Sequence, residues 1–127
     1  MATDPVPVTE TPIVTETPIV TDTVIAQTTI DDETRAQALA RGAVENRLAA
    51  CAHIDAPLTA YYRWQNEIET AREWRISYKT TTARLAELEA WVAESHPYDL
   101  PEWITIPLTG GSAAYRAWIT QETTEPG

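Results

Sequence analysis

The stretch Tyr61-Tyr62-Arg63-Trp64-Gln65-Asn66-Glu67-Ile68, continued by Trp74-Arg75-Ile76-Ser77-Tyr78-Lys79-Thr80, limits the fold more than any other part of the chain. It reads as a hairpin. Tyr62 and Trp64 alternate, and Gln65-Asn66 makes a tight turn, because Asn tolerates the positive φ of two-residue turns. On the return, Trp74, Ile76, Tyr78 and Thr80 alternate with Arg75, Ser77 and Lys79, a period of two. A return strand from Ile68 to Thr80 is roughly 40 Å long at about 3.3 Å per residue. Ordinary strands have about five or six residues. A chain of 127 residues makes one small domain, and it cannot cover both ends of such a ribbon. A protruding aromatic edge either aggregates or pairs with another chain. The ribbon therefore predicts an oligomer joined through Tyr62, Trp64, Trp74 and Tyr78.

The charge narrows the partners. The net charge is −10, which disfavours nucleic acid and anionic membrane, since both need a basic footprint. No apolar run approaches the roughly 20 residues of a membrane-spanning helix, and no signal peptide is evident. Cys51 stands alone, so an internal disulfide is excluded and a cytoplasmic location is expected.

Residues 1–19 read as a flexible Pro/Thr-rich tail with a repeat, Thr11-Pro12-Ile13-Val14-Thr15-Glu16 and Thr17-Pro18-Ile19-Val20-Thr21-Asp22. Recurring prolines break helices and deny ladder donors. The other reading lays Ile19-Val20 along a sheet edge. The folded domain spans residues 20–122, and residues 123–127 read as a frayed end. Thr21–Thr29 is the first predicted strand. Asp31 is the expected cap of a helix whose stripe is Ala36, Leu39, Ala40, Ala43, Val44 and Arg47. Ala49–Ile54 forms a second strand, with Cys51 and His53 on one face, and Pro57 interrupts. Thr81 or Thr82 can cap the next helix. That helix buries Leu85, Leu88, Trp91 and Val92, turns Arg84 to water, and ends at His96-Pro97. A strand over Glu102–Ile106 follows, and Ser112 caps a last helix carrying Tyr115, Trp118 and Ile119. The order β-α-β-β-α-β-α predicts an α+β fold: a ferredoxin-like split β-α-β sandwich, with a four-stranded antiparallel sheet, helices on one face and a long central hairpin.

Several pieces together resemble the CutA family of divalent-cation tolerance proteins. They are Glu45-Asn46-Arg47-Leu48-Ala49-Ala50-Cys51; Tyr62-Arg63-Trp64 with Ile68-Glu69 and Glu73; Lys79-Thr80-Thr81; His96-Pro97-Tyr98-Asp99-Leu100-Pro101-Glu102; and Gly111-Ser112 with Tyr115 and Trp118-Ile119. The resemblance implies a ferredoxin-like homotrimer with long hairpins paired between subunits, and a part in tolerance of copper and other divalent metals. It is similar in architecture to trimeric PII signalling proteins, an analogy of fold only. Three features depart from the family pattern: Asn66 replaces its usual hairpin glycine, His53 replaces an asparagine, and the repeated tail has no counterpart.

Cys51, His53 and His96 are the candidate metal ligands, since thiolate and imidazole suit copper or zinc. The competing reading of Cys51 is a small buried residue. Lys79, Tyr98 and Glu102 are the candidate binding residues of an inter-subunit cleft for a small anion or a partner protein, as in a signalling or scaffolding trimer. Against this, Lys79 can pair with Glu73 or Glu102, and the His-Pro-Tyr segment can be a rigid connection. No obligatory cofactor is implied; Cu2+ or another divalent cation is the candidate ion. Gly-x-Ser-x-Gly, P-loop, Gly-x-Gly-x-x-Gly and His-Glu-x-x-His motifs are all missing, so no enzyme is expected.

Overall fold

The computed structural model describes residues 22–124. Strand β1 (Thr23–Ile30) leads into helix α1 (Glu33–Glu45), then β2 (Cys51–Ile54), β3 (Leu58–Trp64), β4 (Glu67–Thr81), helix α2 (Leu85–Ser95), β5 (Ile104–Pro107) and helix α3 (Ala113–Glu122). The expected tail, residues 1–19, lies outside the described residues. All strand pairs are antiparallel; β2, β4, β1 and β5 stand side by side, and β3 pairs with β4. Among the described residues five strands form where a four-stranded sheet was expected. Asp55-Ala56-Pro57 interrupts the second one, and its two parts, β2 and β3, run along β4 in succession.

The long return strand is real. β4 has 15 residues, or roughly 50 Å at about 3.3 Å each. Its second half, Trp74–Thr81, lies between β1 and β2 in the body of the domain. Its first half, Glu67–Glu73, has β3 on one edge and, among the described residues, no strand on the other. Gln65 and Asn66 both have positive φ, 50° and 68°, the geometry of a two-residue hairpin turn matched to the strand twist.

One face of the sheet is packed. Ala36, Leu39, Ala40 and Ala43 of α1 and Leu88 and Val92 of α2 close over Ala26, Ile30, Ile76 and Tyr78. The alanines let α1 lie close to the sheet. The two helices approach most tightly at Gly42, where a Cβ would sit 2.6 Å from Cζ2 of Trp91. Tyr78 is at the centre, 0% exposed, and its hydroxyl donates to the Leu39 carbonyl at 3.0 Å. This corrects its expected place at a subunit contact, because the protomer's own core already encloses it. Trp74 likewise packs partly against that core. Tyr78→Phe is expected to lower the unfolding free energy by about 1 kcal/mol, the worth of one buried hydrogen bond, read as a lower urea midpoint at unchanged slope.

Smaller differences have local causes. Asp32, not Asp31, caps α1, accepting from the Arg35 amide at 3.0 Å. Arg47 does not continue that helix; it adopts φ 57° just beyond the end. Thr82–Arg84 forms a 3-10 turn preceded by Thr81, whose side chain makes no cap bond. Arg84 is buried rather than wet, donating to the Arg47 carbonyl and paired with Glu87. Thr123, placed in the frayed end by the sequence, is buried and donates to the Ile119 carbonyl. Ser112 caps α3 as expected.

Candidate functional site

The second face of the sheet carries the chemistry. Cys51 pairs with Lys79 and His53 with Ser77. All four therefore point away from the Tyr78 face. Helix α3 reaches this same side, not the side of α1 and α2: the Tyr115 hydroxyl lies 3.5 Å from Cys51 Sγ. That hydrogen bond pushes the Tyr115 phenol's pKa up. The Lys79 ammonium donates toward His53 Nδ1 at 3.4 Å, so it has taken neither Glu73 nor Glu102. Cys51 is half-buried and His53 exposed. The face thus gathers a thiol, an imidazole, an ammonium and a phenol. A cation at His53 Nδ1 has to displace Lys79, whose charge opposes it. Among the described residues, no three His, Cys, Asp or Glu side chains come together to hold a metal.

His96 is elsewhere, and it is a structural residue. Its Nδ1 accepts from the Tyr98 amide at 3.2 Å. Its Nε2 lies 2.8 Å from the Thr29 carbonyl and so carries the hydrogen. Both nitrogens are used within the protomer and the ring is buried. This corrects its placing among the metal ligands, since no lone pair is left to offer. The Tyr98 ring meets His96 edge-on, with centroids 4.6 Å apart, and its hydroxyl donates to Glu73 Oε2 at 2.9 Å. Burial, and then the Glu73 carboxylate, raise the Tyr98 pKa.

Glu73 and Thr29 are the partners that sequence reasoning missed. The alternation of β4 puts Glu73 on the second face and gives no sign that a connection after α2 folds back over it. Lys79 and Tyr98 are not neighbours. Tyr98 sits at Glu73, six residues along β4 from Lys79, or roughly 20 Å by strand rise. Glu102 is exposed just before β5. A single protomer therefore does not assemble the Lys79, Tyr98 and Glu102 cleft.

Sheet topology, crossovers and helix placement define a ferredoxin-like α+β protein whose second face, among the described residues, is covered only in part, by α3. The chain belongs to the CutA1 divalent ion tolerance protein family, whose pattern matches residues 24–122. It is 38% identical over 94 residues to the divalent-cation tolerance protein CutA of Thermus thermophilus, covering 74% of this chain and 91% of that one. It spans 62% of the longer CutA homologue of Danio rerio. The solved CutA of Synechococcus elongatus superposes with TM-score 0.78 at 38% identity, over 84% of this chain and 95% of that one. The Archaeoglobus fulgidus protein, described as a periplasmic divalent cation tolerance protein, superposes with TM-score 0.78 at 27% identity, over 80% and 99%.

Proposed function

We propose that the protein serves divalent-cation tolerance as a cytoplasmic homotrimer that binds a divalent ion, copper foremost, weakly at Cys51 and His53. The observation that carries the reading is the shared placement of these two soft-metal donors on the second face of the sheet. Thiolate and imidazole together favour copper over harder ions. Two donors fall short of the four of a closed structural site, and Lys79 competes for His53, so the binding is weak and reversible. The Glu67–Glu73 edge, which meets no second strand among the described residues, and the exposed Tyr62 and Trp64 support assembly, in which neighbouring chains complete the coordination. Among the described residues no helix is long and apolar enough to cross a membrane, which is compatible with the cytoplasmic placing.

Calorimetric titration with Cu2+ and Zn2+ tests the reading. Saturable copper binding is expected, lost in Cys51→Ser and weakened in His53→Asn. Lys79→Ala is expected to strengthen it by removing the competing ammonium. Heat no greater than that of chelator-treated protein, or copper binding indifferent to Cys51→Ser, contradicts the proposal.

A further inference from the structure

The two faces of the hairpin ribbon carry opposite charge. Residues directly opposed in an antiparallel pair share a face. Trp64 with Glu67, Tyr62 with Glu69 and Leu58 with Glu73 lie on one face; Arg63 with Ile68, Tyr61 with Thr70 and Thr59 with Arg72 lie on the other. The first face holds carboxylates and the two rings given to assembly. The second holds two guanidinium groups and no carboxylate, in a chain of net charge −10. On it Tyr61 and Ile68 are 73% and 68% exposed, and Arg63 and Arg72 are exposed beside them. Among the described residues neither arginine is in an ion pair; Arg72 lies over the Trp74 ring, 5.5 Å from its centroid.

An apolar patch with a guanidinium at each end fits an extended segment that is acidic at both ends and apolar between. The chain contains such a segment. Asp4, Glu10, Glu16 and Asp22 recur every six residues, and no Lys, Arg or His precedes Asp22. Between Asp4 and Glu10 stand Pro5-Val6-Pro7-Val8-Thr9. Arg63 is opposite Ile68, four residues from Arg72 along β4, or roughly 13 Å by strand rise. Six residues of extended Pro-rich chain span roughly 19 Å, a difference that two long arginine side chains can take up. The reach is also sufficient. Arg72 is nine residues along β4 from Thr81, the partner of Thr23, or roughly 30 Å. Glu10 is thirteen residues before Thr23, or roughly 40 Å of extended Pro-rich chain, which leaves slack for the chain to bend back.

We propose that residues 4–10 dock along this face of the chain's own ribbon, Glu10 pairing with Arg72 and Asp4 with Arg63, while Val6 and Val8 cover Tyr61 and Ile68. The segment shields an exposed apolar patch on a ribbon that is otherwise prone to association. Salt screens exposed pairs of this kind, so raised ionic strength releases the segment. The face is separate from Cys51 and His53, and the proposal stands or falls without the metal reading.

The test is limited cleavage of the full chain by elastase, which cuts after small aliphatic residues, followed by mass spectrometry. The bond after Val8 lies inside the docked stretch and the bond after Val14 outside it; both are followed by Thr-Glu. The ratio of the two rates is the readout. Relative to the wild type at low salt, Asp4→Asn with Glu10→Gln, which leaves the folded domain untouched, is expected to speed cleavage after Val8 about fivefold or more against Val14. Arg63→Glu with Arg72→Glu, its fold checked by circular dichroism, is expected to do the same, as is a salt jump on the wild type. Adding Asp4→Arg and Glu10→Arg to the Arg63→Glu, Arg72→Glu chain is expected to restore the wild-type ratio. A ratio that the neutralised segment leaves unchanged overturns the proposal. A charge-swapped chain that stays as open as the Arg63→Glu, Arg72→Glu chain overturns the pairing.

Discussion

Replacing Tyr62 and Trp64 together with aspartate is expected to turn the proposed trimer into single, folded chains. The two side chains share one face of the ribbon, opposite Glu69 and Glu67 in the register, and are 45% and 37% exposed in the protomer. Burying a large apolar side chain contributes about 1.5–3 kcal/mol, and aromatic residues gather at the centres of interfaces. In the proposed trimer, three symmetric contacts multiply the loss. An aspartate at each position adds the cost of desolvating a charge with no partner. The protomer itself has little reason to unfold, because neither residue belongs to the core around Tyr78. Sedimentation is expected to show the mass of one chain, with circular dichroism unchanged. An assembly mass that survives the double substitution contradicts the role given to the ribbon.

The second large effect concerns stability alone. His96→Leu keeps approximate size and apolar contact but leaves the buried Thr29 carbonyl and the part-buried Tyr98 amide without their partner. A buried unsatisfied group costs about 1–3 kcal/mol and a part-buried one less, so a loss of about 2–4 kcal/mol is expected from urea unfolding. That is a large part of the roughly 5–15 kcal/mol by which small domains are stable. Copper binding under native conditions is expected to stay at the wild-type level, because both imidazole nitrogens already serve the fold. A variant of full stability with reduced copper binding would return His96 to the metal ligands.

Much of the architecture was legible in the residues. Period-two alternation in Trp74–Thr80 gave β4, and the alanine stripe gave the packed face of α1. Tyr78 shows the limit of that reading. A long aromatic side chain on an alternating strand looks the same whether its own helices or a neighbour cover it, and only the packing of Leu39 and Ala26 decides. The split of β2 from β3 at Pro57 was marked by the proline, but its consequence for strand number was not. For the site, parity put Cys51, His53 and Lys79 correctly on faces. The Tyr115 contact and the Glu73–Tyr98 bond join residues far apart in the chain, and no local pattern encodes which face α3 will choose. Its imidazole made His96 look like a ligand; its two hydrogen bonds, one to a backbone carbonyl and one from an amide, leave no trace in sequence.

Sedimentation equilibrium of the unmodified chain at micromolar concentration bears most directly on all of this. A ribbon whose Glu67–Glu73 edge meets no second strand among the described residues calls for sister chains, and the predicted result is a single species of three times the 14.1 kDa chain mass. A stable 14.1 kDa species with a solvent-exposed hairpin would contradict it.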